Sequence, residues 1–219
     1  MIIYESESAL LSEGAPMIVP MLIWQQDGDL RIEAYEGVKE IAEEYERCFA
    51  RYPFSKSALD WLDAKLTPYC NERGYYREVQ GKYRWYREFI FTDECMDTEV
   101  QPSTIRWEGE PNLSGLLLDL DPDWLTYVTV VDGVIVSAAR VNEYDPEVSS
   151  PEITVETAVA YRGKGYGTSN ALALSRALAE DGERARYVCS RYNRGSAKLA
   201  EKAGFIETGR FYAFTAYID

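Results

Sequence analysis

Apolar positions recur every three or four residues over Gly37–Arg51, where "GVKEIAEEYERCFAR" puts Val38, Ile41, Tyr45, Cys48 and Phe49 on one stripe before Pro53 ends the run. Ser57–Cys70 repeats the spacing through Leu59, Leu62 and Leu66. Two amphipathic helices are expected, and the first hundred residues read as mainly helical. The tract Gly74–Phe91, "GYYREVQGKYRWYREFIF", interleaves aromatic side chains with Arg and Lys. In an acidic chain it suits a packed strand or helix face better than a surface for stacking bases. Thr92–Ser103, "TDECMDTEVQPS", is polar and carries a proline, so it reads as a linker or long loop.

Beyond that loop the pattern turns to strands. Trp124–Val141, "WLTYVTVVDGVIVSAARV", is two β-rich runs joined by Asp132-Gly133, a pair that accepts the positive φ of a tight hairpin. Glu152–Val159 is a further strand, and "TSNALALSRALAEDG" is a helix with Leu172, Leu174 and Leu178 that stops at Gly182. Arg186–Ser190, "RYVCS", reads as a buried strand and Ser196–Gly204 as a short helix closed by glycine. "FIETGRFYAFTAYI" ends the chain as a hairpin or a bent strand. The order β-β-β-α-β-α-β predicts an α+β fold with a mixed sheet, and no internal repeat is visible.

Composition narrows the function classes. A chain of 219 residues that is 46% hydrophobic and 13% aromatic can bury the core of one large domain or two small ones. The apolar stretch Ala15–Trp24 is too short for a bilayer, and the N-terminus carries acids where a signal peptide needs positive charge. A cytoplasmic location and no membrane partner are expected. Cys48, Cys70, Cys95 and Cys189 are scattered without a CxxC, and histidine is absent, which argues against a metal site and against histidine-based catalysis. The net charge of −14 makes nucleic acid a poor partner. That charge is unevenly spread. Residues 101–161 hold 11 acids and 2 bases, whereas residues 162–210 hold 5 acids and 10 bases. An anionic ligand near the second segment and a cationic one elsewhere would fit this division, as would plain solvated surfaces.

The basic segment opens on "RGKGYG", Arg162–Gly167, between a predicted strand and a predicted helix. First-turn N–H groups of a helix lack intrahelical partners, and glycines let an anion approach them, so the junction suits phosphate. The spacing fits neither the Walker loop, GxxxxGK[ST], nor the dinucleotide fingerprint GxGxxG, since Thr168 stands where the third glycine would fall.

"YRGKGYGT" resembles the Arg/Gln-x-x-Gly-x-Gly/Ala signature of the GCN5-related N-acetyltransferases (GNAT), and "NRGSAKLAEKAGF", Asn193–Phe205, is similar to a second segment of that superfamily. "EITVETAVAYRGKGYG" is similar to the form found in the subgroup that includes zwittermicin-resistance acetyltransferases. The resemblance covers roughly residues 101–219 and leaves 1–100, a helix-rich region, without an assigned role. It implies a mostly antiparallel mixed sheet flanked by helices, splayed between the strands at Glu152–Val159 and Arg186–Ser190. It also implies acetyl-coenzyme A as co-substrate. Backbone N–H groups of Gly163, Lys164, Gly165, Tyr166, Gly167 and Thr168 would hold its pyrophosphate, with Arg162 ordering the loop. Thr157, Ala158 and Val159 would pair with the pantetheine arm, and Asn193, Ser196 and Lys198 would lie beside it.

Acetyl transfer to an amine needs a base to free the nitrogen and a proton for the departing thiolate. Glu152 and Glu156 share one face of an unbroken strand and suit a cationic amine; Glu152 matches a strand glutamate that is the base in some relatives, and Glu156 is nearer the thioester. Many relatives carry a tyrosine on the helix after Asn193, where this chain has Ala200. Tyr192, Tyr212, Cys189 or water remain as acids, with unaided departure of the thiolate as the other alternative. The expected partner is a small cationic amine, such as an amino antibiotic, polyamine or amino sugar. A protein or peptide amine, or a non-catalytic binding module of the same fold, are the alternatives, and a homodimer stays open.

Overall fold

The described residues, 1–5, 17–76, 84–142 and 150–217 of a computed structural model, form ten strands and four α-helices. They divide into two units, Met1–Arg87 with Gly209–Asp219, and Glu88–Thr208. Among the described residues no helix is long and apolar enough to cross a membrane.

In the first unit, β1 (Ile2–Glu5), β2 (Met17–Gln26) and β3 (Asp29–Tyr35) precede α1 (Lys39–Phe49) and α2 (Lys56–Asn71). The end of the last strand, β10 (Phe205–Tyr217), completes a sheet of order β1-β3-β2-β10, in which only β1 and β3 run parallel. Both helices expected from the 3.6-residue period are present. Ser55 caps α2 by accepting the Ala58 N–H at 3.3 Å. Tyr45, Leu62 and Leu66 are buried with Met21, Ile23, Ile32, Tyr212 and Phe214. Cys48 is exposed, and Ala42 occupies the buried face in its place. The region holds more sheet than its periodicity predicts. The cause is β2, "MIVPMLIWQQ", whose apolar run is buried over most of its length and so shows neither helical nor alternating period. Asp27 and Gly28, with φ of 51° and 91°, turn it into β3.

The second unit contains the end of β4 (Arg84–Phe91) from Glu88 on, with β5 (Thr104–Arg106), β6 (Thr126–Val131), β7 (Val134–Val141) and β8 (Glu152–Thr157). Helix α3 (Tyr166–Glu180), strand β9 (Arg186–Ser190) and helix α4 (Arg194–Lys202) follow. The strand order is β4-β9-β8-β7-β6-β5. The aromatic tract before Thr92 therefore ends as a strand, while its residues 77–83 lie outside those described. The hairpin at Asp132-Gly133 forms as expected, with φ of 51° and 78° and Val131 opposite Val134. Helices α3 and α4 bury Leu172, Leu174, Ala197 and Ala200 in a core with Phe89, Phe91, Ile153, Tyr187 and Phe205. Of the two readings of the C-terminus, the bent strand holds: β10 is continuous, with a register shift between Phe214 and Ala216.

The sheet is mixed because β8 and β9 run parallel, and their pairing is brief. Glu152 faces Arg186 and Ile153 faces Tyr187; past these two positions the strands part.

Candidate active site

The parting of β8 and β9 opens a cavity of about 460 Å³, within the size range of small-molecule sites. Of the residues singled out in the sequence, Glu156, Thr157, Arg162, Gly163, Gly165, Tyr166, Gly167, Thr168, Asn193, Ser196 and Lys198 line it. Lys202 joins Lys198 one turn along α4, so three cations, with Arg162, surround the space. Three of the ten bases of residues 162–210 thus meet at one site.

The glycine loop is shaped by two constraints. Gly165 precedes α3 with φ of 85°, in the left-handed region where other residues are strained. Gly167, in the first turn, lets helix and strand approach closely: a Cβ there would lie 2.9 Å from Leu199 Cδ1 and 3.0 Å from Thr157 Oγ1. The Ser169 N–H begins the helical ladder by donating to the Gly165 carbonyl at 3.0 Å. Among the described residues, the N–H groups from Gly163 to Thr168 find no acceptor, which leaves a cluster of donors at the positive end of α3.

The open edge of β8 supplies more unpaired backbone. Asn142 N–H donates to the Glu152 carbonyl at 2.8 Å and Ala158 N–H to the Val136 carbonyl at 2.9 Å, so even-numbered positions turn their backbone groups toward β7. Odd-numbered ones, Val155 and Thr157, turn theirs toward the gap. The Thr157 carbonyl is taken by Arg162 Nε at 3.0 Å, a bond that ties the glycine loop to the strand end.

The two glutamates of β8 lie on the same face, across a register unbroken from Ile153 to Thr157. Glu152 bonds Arg186, which also pairs with Glu88 at 2.9 Å, and accepts from Asn142 Nδ2 at 3.4 Å. Glu156 reaches the cavity, and its two carboxylate oxygens accept the N–H groups of Leu117 and Leu118 at 3.1 and 2.6 Å.

Other expected positions lie elsewhere. Val159 is 76% exposed in a short 3-10 turn, and the Lys164 ammonium sits 4.9 Å from the centre of the Tyr161 ring. Tyr192 is 61% exposed, and Tyr212 is fully buried in the core of the first unit. Cys189 is buried on β9. Asn193, within the cavity lining, caps α4, its Oδ1 accepting the Ser196 N–H at 3.0 Å.

Six cavity residues, Val155, Tyr161, Tyr187, Gly195, Leu199 and Lys202, were not singled out in the sequence, and Tyr187 stands out among them. Tyr187 occupies the last paired position of β9, is only 5% exposed, and exchanges a hydrogen bond with Ser196 Oγ on α4. Burial pushes its phenol above the ordinary tyrosine value, with the Ser196 bond pulling in the opposite sense. "RYVCS" showed a buried strand, but only its register against Ile153 places the ring at the closed end of the gap.

The sequence profile of the acetyltransferase (GNAT) family matches residues 82–205. Among solved structures, the chain is similar to an acetyltransferase of the GNAT family from Novosphingobium aromaticivorans DSM 12444, at 15% identity and a TM-score of 0.49, over 66% of this chain and 68% of that one. A GCN5-related N-acetyltransferase from Sphaerobacter thermophilus aligns at 15% identity and a TM-score of 0.47, over 75% of this chain and 57% of that one. A GCN5-related N-acetyltransferase-like protein from Streptococcus suis 89/1591 aligns at 16% identity and a TM-score of 0.45, over 92% and 90%. No curated protein matches the chain.

Proposed function

Because the chain belongs to the acetyltransferase (GNAT) family, whose profile spans more than half of it, we propose that the gap between β8 and β9 binds acetyl-coenzyme A and transfers its acetyl group to the primary amine of a small cationic metabolite or antibiotic. The observation that carries this reading is the parting of two parallel strands after two paired positions, directly beside a helix start rich in unpaired N–H donors. The loop from Gly163 to Thr168 suits a pyrophosphate, with Arg162, Lys198 and Lys202 adding positive charge. Val155 offers its backbone groups and Thr157 its N–H to an extended amide-bearing arm, with Ser196 and Lys198 on α4 and its N-cap Asn193 beside it.

The reaction forms a bond between nitrogen and the acetyl carbon and breaks the bond from that carbon to sulfur. The amine loses a proton and the departing sulfur gains one. Glu156 is the proton acceptor of this reading: its two oxygens keep lone pairs beyond those used by Leu117 and Leu118, and its charge draws an ammonium. The loop it holds continues into Asp119, Asp121 and Asp123, which favours a cationic acceptor. Tyr187 is the proton donor: its phenol keeps its proton at neutral pH and lines the cavity. Holding both reactants in one cleft supplies the remaining acceleration. Within the family, "EITVETAV" supports placement near the zwittermicin-resistance subgroup.

Isothermal titration with acetyl-coenzyme A, followed by thiol release with polyamines, amino sugars and lysine-bearing peptides, tests the proposal. Micromolar binding and faster turnover on the free amines are expected. Absence of binding would sink the site, and faster turnover on the peptides would replace the acceptor class.

A further inference from the structure

Segment 95–104, which overlaps the linker or long loop read at Thr92–Ser103 and ends on the first residue of β5, is fastened along α3. Arg176 Nη2 donates to the Cys95 carbonyl at 2.7 Å and also to the Thr98 carbonyl. The Gln101 N–H donates to Ser169 Oγ at 2.8 Å, and the Gln101 carbonyl accepts from the Thr104 N–H at 2.9 Å. Thr104 Oγ1 lies 2.8 Å from Ser169 Oγ and 3.1 Å from Asn170 Oδ1. Both termini of this segment are therefore bonded to the helix, and between them Gln101 reaches the glycine loop: its Nε2 donates to the Lys164 carbonyl at 3.1 Å.

A trans peptide is planar, with its C=O and the following N–H pointing in opposite directions. Holding the Lys164 carbonyl therefore fixes the Gly165 N–H. Gly165 lines the cavity, and a Cβ on it would sit 2.8 Å from Gln101 Nε2, so the glutamine packs against the loop from behind. We propose that Gln101 is a positioning residue of this loop, holding the Lys164 carbonyl back and aiming the Gly165 N–H at the bound phosphate. The inference rests on the reading of the cavity as the coenzyme site. Its physical content is pre-organisation: a donor already aimed costs no ordering when the anion arrives.

The test is isothermal titration of the full chain with coenzyme A, and competition with pantetheine, which has the arm but no pyrophosphate. Gln101→Met keeps length and removes the donor. It should raise the Kd of coenzyme A roughly 5- to 10-fold, the effect of about one hydrogen bond, and leave that of pantetheine within about twofold, since no step of its binding uses the loop. Equal weakening of both ligands, or no weakening of either, overturns the positioning role. A wild-type chain that fails to bind coenzyme A overturns the site reading itself, a separate result. Should Gln101→Met not fold, Ser169→Ala, which removes the acceptor of the Gln101 N–H, is expected to give the same split between the two ligands.

Discussion

Strand β8 has two ends that look alike in sequence and differ in their company. At the first, Glu152 stands where the strand is paired on both sides, and its carboxylate meets Arg186, itself shared with Glu88. At the second, Glu156 stands where one side is open, and among the described residues its carboxylate meets backbone N–H groups of a loop beside the cavity. Both residues are glutamates, four positions apart on one face. Alternation along a strand thus says which side chains point together, while sheet pairing decides which of them a ligand can meet.

The contrast can be broken most severely at the open end. Gly167→Leu would drive a side chain into Leu199, Thr157 and Val155, where even a Cβ meets neighbours at 2.9 to 3.3 Å. Relieving that overlap must push the glycine loop off β8, so coenzyme A binding should weaken by about a hundredfold, roughly 3 kcal/mol of lost contacts, read by isothermal titration. Next come the groups assigned to proton transfer. Tyr187→Phe and Glu156→Gln should each lower kcat by about a hundredfold while coenzyme A still binds. The pH profile separates them. A buried phenol with a raised pKa must stay protonated to donate, so wild-type activity persists below that pKa and is lost as pH rises through it. The stability linked to this group runs the same way, present at neutral pH and lost above the ordinary tyrosine range. Tyr187→Phe should remove that alkaline limb from the rate profile; an unchanged limb would take the acid role away from Tyr187. The smallest effect is expected at the closed end. Glu152→Gln breaks a half-buried ion pair worth about 1 kcal/mol, so the melting temperature should fall by roughly 2–4 °C with turnover nearly intact. A large kcat loss there would exchange the roles of the two glutamates.

Local signals in the sequence carried the second unit far. The Asp132-Gly133 hairpin, the stop of α3 at Gly182 and the closure of α4 before Gly204 each follow from residues that tolerate positive φ. Asp27-Gly28 is the same signal in the first unit, yet the run before it, buried on both faces, has no period to announce a strand. Gly163 to Thr168 could be read as a glycine-rich helix start with unpaired N–H donors because its chemistry is contiguous. Tyr187 and Gln101 could not be read, since each acquires its place through a partner far along the chain: Ile153 by register for one, Lys164 by a side-chain hydrogen bond for the other. Tyr212 shows the converse limit, because nothing in its neighbours in sequence separates a core tyrosine from a solvent-facing one.

Leu117 is 98% exposed, although its N–H is held by Glu156. The main chain at this position is pinned while its side chain is unconstrained, so variation at 117 alters what is displayed at the rim without loosening the tie beneath. That makes position 117 a convenient place to graft a fluorescent reporter of whatever enters beside Glu156.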